Sequence, residues 1–600
     1  MNSEDKNLSL QFYDYLCNIV GSEDVVRTRR EIFTSKDLVE NTTFATSISS
    51  GSKAEGLDLK GSDYDMMYLF NFVRVYESLN AAHSNPYKIP LVMDTSDINP
   101  GFTKLKLVNK LYINNPMIHV CGETVGEKTY ISSKRFRERH LPNNMVIHGP
   151  CHSTAGGEYD GAICFRCNEW VTAAQQWIHR SRTTWPHYTL VSAAVQYGVL
   201  FVPIGCKNSP KEDLQWRISF SVTEKLLIHS FTHTQLFCYA LLKIILKDII
   251  KPRHGDLLCS YFLKTIMFWL SEEISPLEWI PESMNVCVLN CIRRLIYCVE
   301  YKTCLHYFIP EYNLFEERFT EEEHKTLMDT LKSIYESPWT SIFDTSPFQT
   351  IRLESTNRKN MILSVSELSC LTYIQRVMCT SPSNSVLFKR LMNGNDRIFK
   401  RKMDAFLLSL YSGASMQSLT FYNLNDGNNS FYKQYKSTLF YFKIGLQSDY
   451  VSSWLMLASL FYKCKRYWEC LDILHFCLSC VTPNKIYLHV ANNLTEQTIF
   501  KKMKQRFGLL ITFKYLITNF LNFRKPFGLL PNELKPLIRG NRIDFPPVVY
   551  ANVLSFLCYH HMRDYRKKLN ALSDLELTVK ERYFVLKTAN ECLDIAKALT

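Results

Sequence analysis

The chain has 600 residues, and at roughly 150 residues per domain that is more than one packed core holds. Its 46% apolar and 21% charged residues, with 37 Phe and 33 Tyr, exclude an intrinsically disordered chain, and 70 basic against 57 acidic residues leave +13, a surplus typical of proteins that meet phosphate. No uninterrupted apolar stretch opens the sequence and Lys264 breaks the run at 257–270, so neither a secretory leader nor a membrane span is expected, and the 20 cysteines read as reduced thiols of a cytosolic or nuclear protein.

Leu8, Phe12, Leu16, Ile19 and Val20 predict one helix over 8–33. Short apolar or β-branched runs at 44–49, 65–70, 104–108, 145–148, 161–165 and 200–203, punctuated by Gly, Asn and Pro, predict strands. From 223 the period turns helical, with helices expected over 230–250, 257–270, 284–300 and 321–335. Residues 338–400, rich in Ser, Thr, Asn and Pro at their start, read as a linker. Beyond it Trp454, Leu457, Ala458, Phe461, Cys470, Leu474 and Cys477 stand at tetratricopeptide spacings, and 549–570 and 579–599 read as further helices. The expected class is α+β: a β-rich lobe over 1–215, a helical lobe over 216–337, and an all-α TPR-like module over 401–600.

The chemistry gathers at Gly51-Ser52 and Asp63-Tyr64-Asp65. Residues two apart on a strand face the same way, so Asp63 and Asp65 present two carboxylates together, and that demands a cation. An oxygen-only pair suits Mg²⁺ or Mn²⁺, which bridge to substrate phosphates. Alone, D-x-D reads as a solvated turn; Gly51, which lets backbone approach a phosphate, and the Ser52 hydroxyl upstream of it turn the reading to phosphoryl chemistry. Asp160, just before the apolar run 161–165, is the third carboxylate, with Glu158 the alternative. His229, His233 and Cys238 form an incomplete zinc set, and Cys164-x-x-Cys167 and Cys477-x-x-Cys480 lie too far apart for a zinc ribbon, so all read as core residues.

Gly51-Ser52, Asp63-x-Asp65, Tyr159-Asp160, Trp185-Pro186, Val202-Pro203, Trp216-Arg217-Ile218-Ser219-Phe220-Ser221, Cys259-Ser260-Tyr261-Phe262-Leu263-Lys264-Thr265 and Tyr307-Phe308-Ile309-Pro310-Glu311 follow in an order that resembles the Mab-21 family. That family includes cyclic GMP-AMP synthase and the related receptors of invertebrates, and the resemblance covers residues 10 to 335. It implies a two-lobed nucleotidyltransferase that joins ATP and GTP into a cyclic dinucleotide. It further implies Asp63, Asp65 and Asp160 as catalytic metal ligands and Gly51 and Ser52 as the phosphate turn. Arg217 is implied at a nucleobase, Ser219, Ser221 and Glu224 along the nucleotide cleft, Lys243 at a phosphate, and Ser260 with Tyr261 against a base. Arg27, Arg29 and Arg30 fall where the family's spine helix meets nucleic acid. Because the zinc insertion of the vertebrate enzyme is missing, double-stranded RNA is the expected activator. The alternative is a catalytically silent member of the fold that binds a protein partner, or itself, through the C-terminal module.

Overall fold

The computed structural model describes residues 3–349 and 451–600, apart from 43, 60, 80–87, 110–111, 113–114, 183, 482–485, 488–493, 519 and 581–586, together with Glu367, Cys370, Leu439 and Phe442. Gly21 divides the single helix expected over 8–33. Its φ of +123° is one that side chains rarely adopt, and a Cβ there would come within 2.9 Å of Val25 Cγ1. Two helices result, Ser3–Ile19 and Glu23–Glu40.

Twelve strands form one sheet: β1 (Ala45–Ser50), β2 (Tyr64–Phe70), β3 (Val73–Tyr76), β4 (Ile89–Asp94), β5 (Phe102–Leu107), β6 (Gly122–Val125), β7 (Lys128–Ile131), β8 (Met145–His148), β9 (Cys151–Thr154), β10 (Tyr159–Cys167), β11 (Val199–Val202) and β12 (Gln215–Ser219). The six expected strands are present within two residues of their expected bounds, and the other six are additions. The order runs β1-β2-β10-β11-β12-β5-β4-β3, and β3 returns to pair with the end of β10. Two pairings matter for the site: β1 lies antiparallel to β2 with Ser50 opposite Asp65, and β10 lies parallel to β2 with Asp160 opposite Asp65. The lobe boundary expected at 215 falls on the first residue of β12, which pairs with β11 and β5, so the sheet continues to Ser219.

Helices Ser221–His229, His233–Ile245, Ser260–Glu273, Met284–Glu300 and Glu321–Glu336 follow. The helix expected from 230 starts at His233 because Thr232 and Gln235 form a reciprocal capping box, and it ends in a π turn over Leu246–Ile250. Sheet residues such as Phe165 and Trp216, with ring centroids 4.9 Å apart, share one core with Leu241, Ile266, Leu295 and Leu331 of these helices. The class is α+β, as expected.

The first unit also takes in the start of the expected linker. Pro338–Phe343 is helical, and the Phe12 ring lies 5.3 Å from that of Trp339 and 5.9 Å from that of Phe343. Phe348 is buried on the same cluster. A chain ending at 337 should therefore melt several degrees below one ending at 349, having lost Trp339, Ile342 and Phe348 from the Phe12 face; equal melting temperatures would return 338–349 to the linker.

In the second unit, helices Ser452–Lys463 and Tyr467–Cys480 form a hairpin turned at Lys465, with Leu457, Ala458, Cys470, Leu474 and Cys477 buried. Helices Pro547–Met562, Tyr565–Lys580 and Lys587–Ala598 follow, the helix expected over 549–570 being broken where Arg563 turns left-handed at φ +59°. The unit is not all-α: strands Leu521–Arg524 and Arg542–Phe545 pair antiparallel and place Phe523 and Phe545 in its core. Most of 350–450, and with it much of the expected linker and the start of the expected module, lies outside the described residues. Among the described residues no helix is long and apolar enough to cross a membrane.

Candidate active site

The register of the sheet assembles the acids. Asp160 on β10 and Asp65 on β2 are direct partners in the parallel ladder, and Asp63 precedes β2 by one residue, so oxygens of all three carboxylates lie within 4.8 Å of one another. Glu158, the alternative, is exposed and outside the cluster. Burial, followed by the charges of Asp63 and Asp160, pushes Asp65 up to about 7 against the pull of Lys243. Three mutually repelling oxygen donors fit a hard divalent cation, Mg²⁺ or Mn²⁺.

Gly51 is seated on this cluster. Its φ is +66°, and a Cβ would fall 1.7 Å from Asp65 Oδ2, so no other residue fits between β1 and the carboxylate. The strand end is held from behind. Asp37 accepts from Ser49 N–H and Oγ at 2.8 Å each, and Lys225 donates to Ser49 O at 2.8 Å and pairs with Asp37 at 3.4 Å. Buried Ser52 accepts a hydrogen bond from Lys243 Nζ, whose pKa burial lowers while Glu55 draws it back up.

A cleft of about 490 Å³ opens here, lined by Gly51, Ser52, Asp63 and Asp65 on one side and by Lys243, Lys247, Lys251, Ser260, Tyr261 and Lys264 on the other. Lys264 is the hub that sequence reasoning missed as a site residue. Its ammonium pairs with Glu55 at 2.7 Å and with Glu224 at 3.2 Å, all three side chains being nearly or fully buried. Glu224 thus serves an ion pair rather than the cleft wall. His306 was also missed. Its Nδ1 accepts from the N–H groups of Phe308 and Ile309 at 3.2 and 3.1 Å, which leaves the proton on Nε2 to bond Tyr261 Oη at 2.7 Å and fix that ring. Arg217 on β12 is exposed, lies outside the cleft lining, and adds its charge to the environment of both Tyr261 and His306. Ser219 and Ser221 lie outside the lining too; Ser221 N–H donates to Ser219 Oγ at 3.4 Å, and Ser221 Oγ contacts Met67 Sδ at 2.9 Å.

The arginines expected to meet nucleic acid are corrected by their partners. Arg29 is buried and donates to the carbonyls of Val20 (2.5 Å) and Gly56 (3.3 Å). Arg30 donates to the carbonyls of Glu55, His229 and Ile228 at 2.8, 3.1 and 3.2 Å, and burial lowers its pKa to about 10. Only Arg27 of the three is exposed, paired with Asp24. Charge clustering reveals nothing of which helix face packs, and here the basic face packs inward.

His229 and His233 bond separate carbonyls, of Ala54 and Gly21, and hold no common ligand position. Burial lowers them to about 4 each, and burial with Arg217 lowers His306 to about 3. The unfolded chain gains these protons below about 6.5, whereas the folded protein does not until about 4. Stability should therefore fall as pH drops from 6.5 towards 4, with His152, His254 and His560, also lowered by burial, adding to the loss and the raised carboxyls of Asp65, Asp37 and Glu40 opposing it. Thermal melts from pH 8 to 4.5 test this, and a His229→Gln variant with unchanged acid sensitivity would remove that residue from the account.

Residues 236–333 match the Mab-21 protein HhH/H2TH-like domain, the span of the helices from His233 to Glu336. Cyclic GMP-AMP synthase of Mus musculus is 28% identical over 127 residues, 19% of this chain and 25% of that protein. Protein mab-21-like 3 of Danio rerio is 24% identical over 156 residues, 25% of this chain and 39% of that protein. The matched parts are thus well under half the length of either relative.

Proposed function

From the Mab-21 HhH/H2TH-like domain at residues 236–333 and the likeness to cyclic GMP-AMP synthase and a Mab-21-like protein, we propose that this chain is a member of that family and a two-lobed nucleotidyltransferase joining ATP and GTP into a cyclic dinucleotide. The observation that carries the reading is three carboxylates within 4.8 Å of one another, two of which, Asp63 and Asp65, line one cleft with four lysines. Mg²⁺ or Mn²⁺ held by Asp63, Asp65 and Asp160 would supply positive charge to the phosphoryl oxygens of the transition state. Ser52 and Lys243 grip the triphosphate, with the narrow seat at Gly51 bringing backbone close to it. Tyr261, its ring fixed by His306, offers a face for one base, and Arg217 serves another. The attacking hydroxyl bonds the α-phosphorus and loses its proton to a carboxylate of the cluster. The bridge to the β-phosphate breaks, and pyrophosphate leaves with the electron pair.

Double-stranded RNA is the proposed activator, the cytosol or nucleus the proposed place of action, and the C-terminal TPR-like module the proposed contact for a protein partner or a second copy. Purified protein incubated with Mg²⁺ or Mn²⁺, all four nucleoside triphosphates and a panel of RNA and DNA duplexes, with products read by mass spectrometry, should yield a cyclic dinucleotide only with an activating nucleic acid. No product under any condition would leave the chain as a binding scaffold.

A further inference from the structure

In the second unit, residues 559–568 read Tyr-His-His-Met-Arg-Asp-Tyr-Arg-Lys-Lys, aromatic rings interleaved with cations, and they form the turn between helices Pro547–Met562 and Tyr565–Lys580. Tyr559, His560, Arg563, Tyr565 and Lys568 line a cavity there of about 180 Å³. Pockets for drug-sized ligands start at roughly 300 Å³, so the occupant of this one is a compact group. No carboxylate is in the lining, and among the described residues no carboxylate side chain bonds any of the five. The acids nearby are engaged elsewhere. Asp564 pairs with Lys567 at 3.7 Å and accepts from the Lys567 N–H at 3.1 Å, and Glu533 bonds His561 at 2.8 Å.

Three features of the lining suit an oxyanion. Lys568 is only 4% exposed, and withdrawing an ammonium from water is costly unless its donors are filled. Its Nζ donates at 3.3 Å to oxygens of Leu599 and Thr600, which leaves the third N–H for another acceptor. His560 Nδ1 is buried with no hydrogen-bond partner, an open polar position in the cavity wall. Arg563 takes φ +59°, a conformation free to glycine and strained for a side chain, and its guanidinium makes no hydrogen bond or ion pair among the described residues. A turn needed only to join two helices would be met by glycine, whereas this one holds an unspent planar fork at the mouth of a cavity.

We propose that this cavity binds a phosphate group, with two of its oxygens on the Arg563 fork and a third on the Lys568 ammonium. A carboxylate, with two oxygens, would satisfy one of these cations and leave the other; the three terminal oxygens of a phosphate monoester or the free ion reach both. Tyr559 and Tyr565 stand on either side of Arg563 in the sequence and wall the cavity, so an esterified ligand would have a ring to lie against. The cavity lies wholly within the second unit and owes nothing to the nucleotidyltransferase reading of the first.

Calorimetric titration of the full-length protein without divalent metal, with inorganic phosphate and separately with O-phosphotyrosine, tests the site. Tighter binding of the ester assigns it to an esterified ligand and tighter binding of the free ion to phosphate itself; either order supports a phosphate site. Arg563→Gln, at an exposed position, should weaken both at least about tenfold with an unchanged melting temperature. Arg563→Lys should recover only part of that loss, since it restores the charge without the fork. Lys568→Gln should weaken both as well, and if that variant unfolds the Arg563 pair decides alone. No binding by the wild type, or equal affinity in wild type and Arg563→Gln, overturns the site; in the second case the phosphate is held elsewhere in the chain.

Discussion

Asp65→Asn and Asp160→Asn should each lower nucleotidyl transfer at least about a hundredfold, about 2.7 kcal/mol of barrier, while leaving the protein folded. Each substitution removes a charged oxygen from a set of three held within 4.8 Å, and so removes part of the cation site on which transition-state charge stabilisation depends. The burial and like-charge repulsion that together raise Asp65 to about 7 give a second readout. Without added metal, Asp65→Asn relieves a like-charge contact, so its melting temperature should equal or exceed that of the wild type. With Mn²⁺ present the wild type should be stabilised by the ion and the variant should not. Unaltered turnover in either variant would take that residue out of the catalytic assignment, and a variant that merely unfolds would contradict the electrostatic account.

Lys264→Met should cost about 3–5 kcal/mol of stability, the largest single loss expected in the first unit. The substitution is close in volume, so the effect isolates charge: Glu55 and Glu224 would be left buried with no cation at 2.7 and 3.2 Å. Urea unfolding followed by Trp fluorescence measures the change. The double variant Lys264→Met/Glu55→Gln should recover part of the loss, because one of the two orphaned charges is gone. A Lys264→Met protein with the midpoint of the wild type would show that the pair is not coupled to folding.

The features legible in the sequence were those whose requirement is local. Asp63 and Asp65 share a face because strand side chains alternate, and Gly51 was singled out because a close approach needs no side chain. What escaped was set by partners far along the chain. Lys264 meets Glu55 from more than two hundred positions away, and no period or motif marks that meeting. Arg29 and Arg30 looked like a surface cluster because charge alone does not say that the carbonyls of Val20, Glu55 and His229 await them. β12 was missed because Gln215 and Arg217 interrupt the apolar pattern, although Gln215 is buried and donates to Ser209 Oγ at 2.8 Å. Gly21 is ambiguous in a helical pattern, since an isolated glycine is tolerated within a helix as often as it ends one.

Asp65 and Asp160 are carried by strands hydrogen-bonded directly to one another, and the lysines by helices that meet the β-rich side through side chains, Lys243 on Ser52 and Lys264 on Glu55. The arrangement is a vice with one fixed jaw. If the helical jaw shifts, the spacing of the carboxylates is unchanged while the reach of Lys243, Lys247 and Lys264 into the cleft alters. Metal affinity and nucleotide affinity are then separately adjustable quantities. An effector that moves the helices would change the concentration of nucleotide needed for half-maximal rate and leave the concentration of divalent ion needed for occupancy where it was.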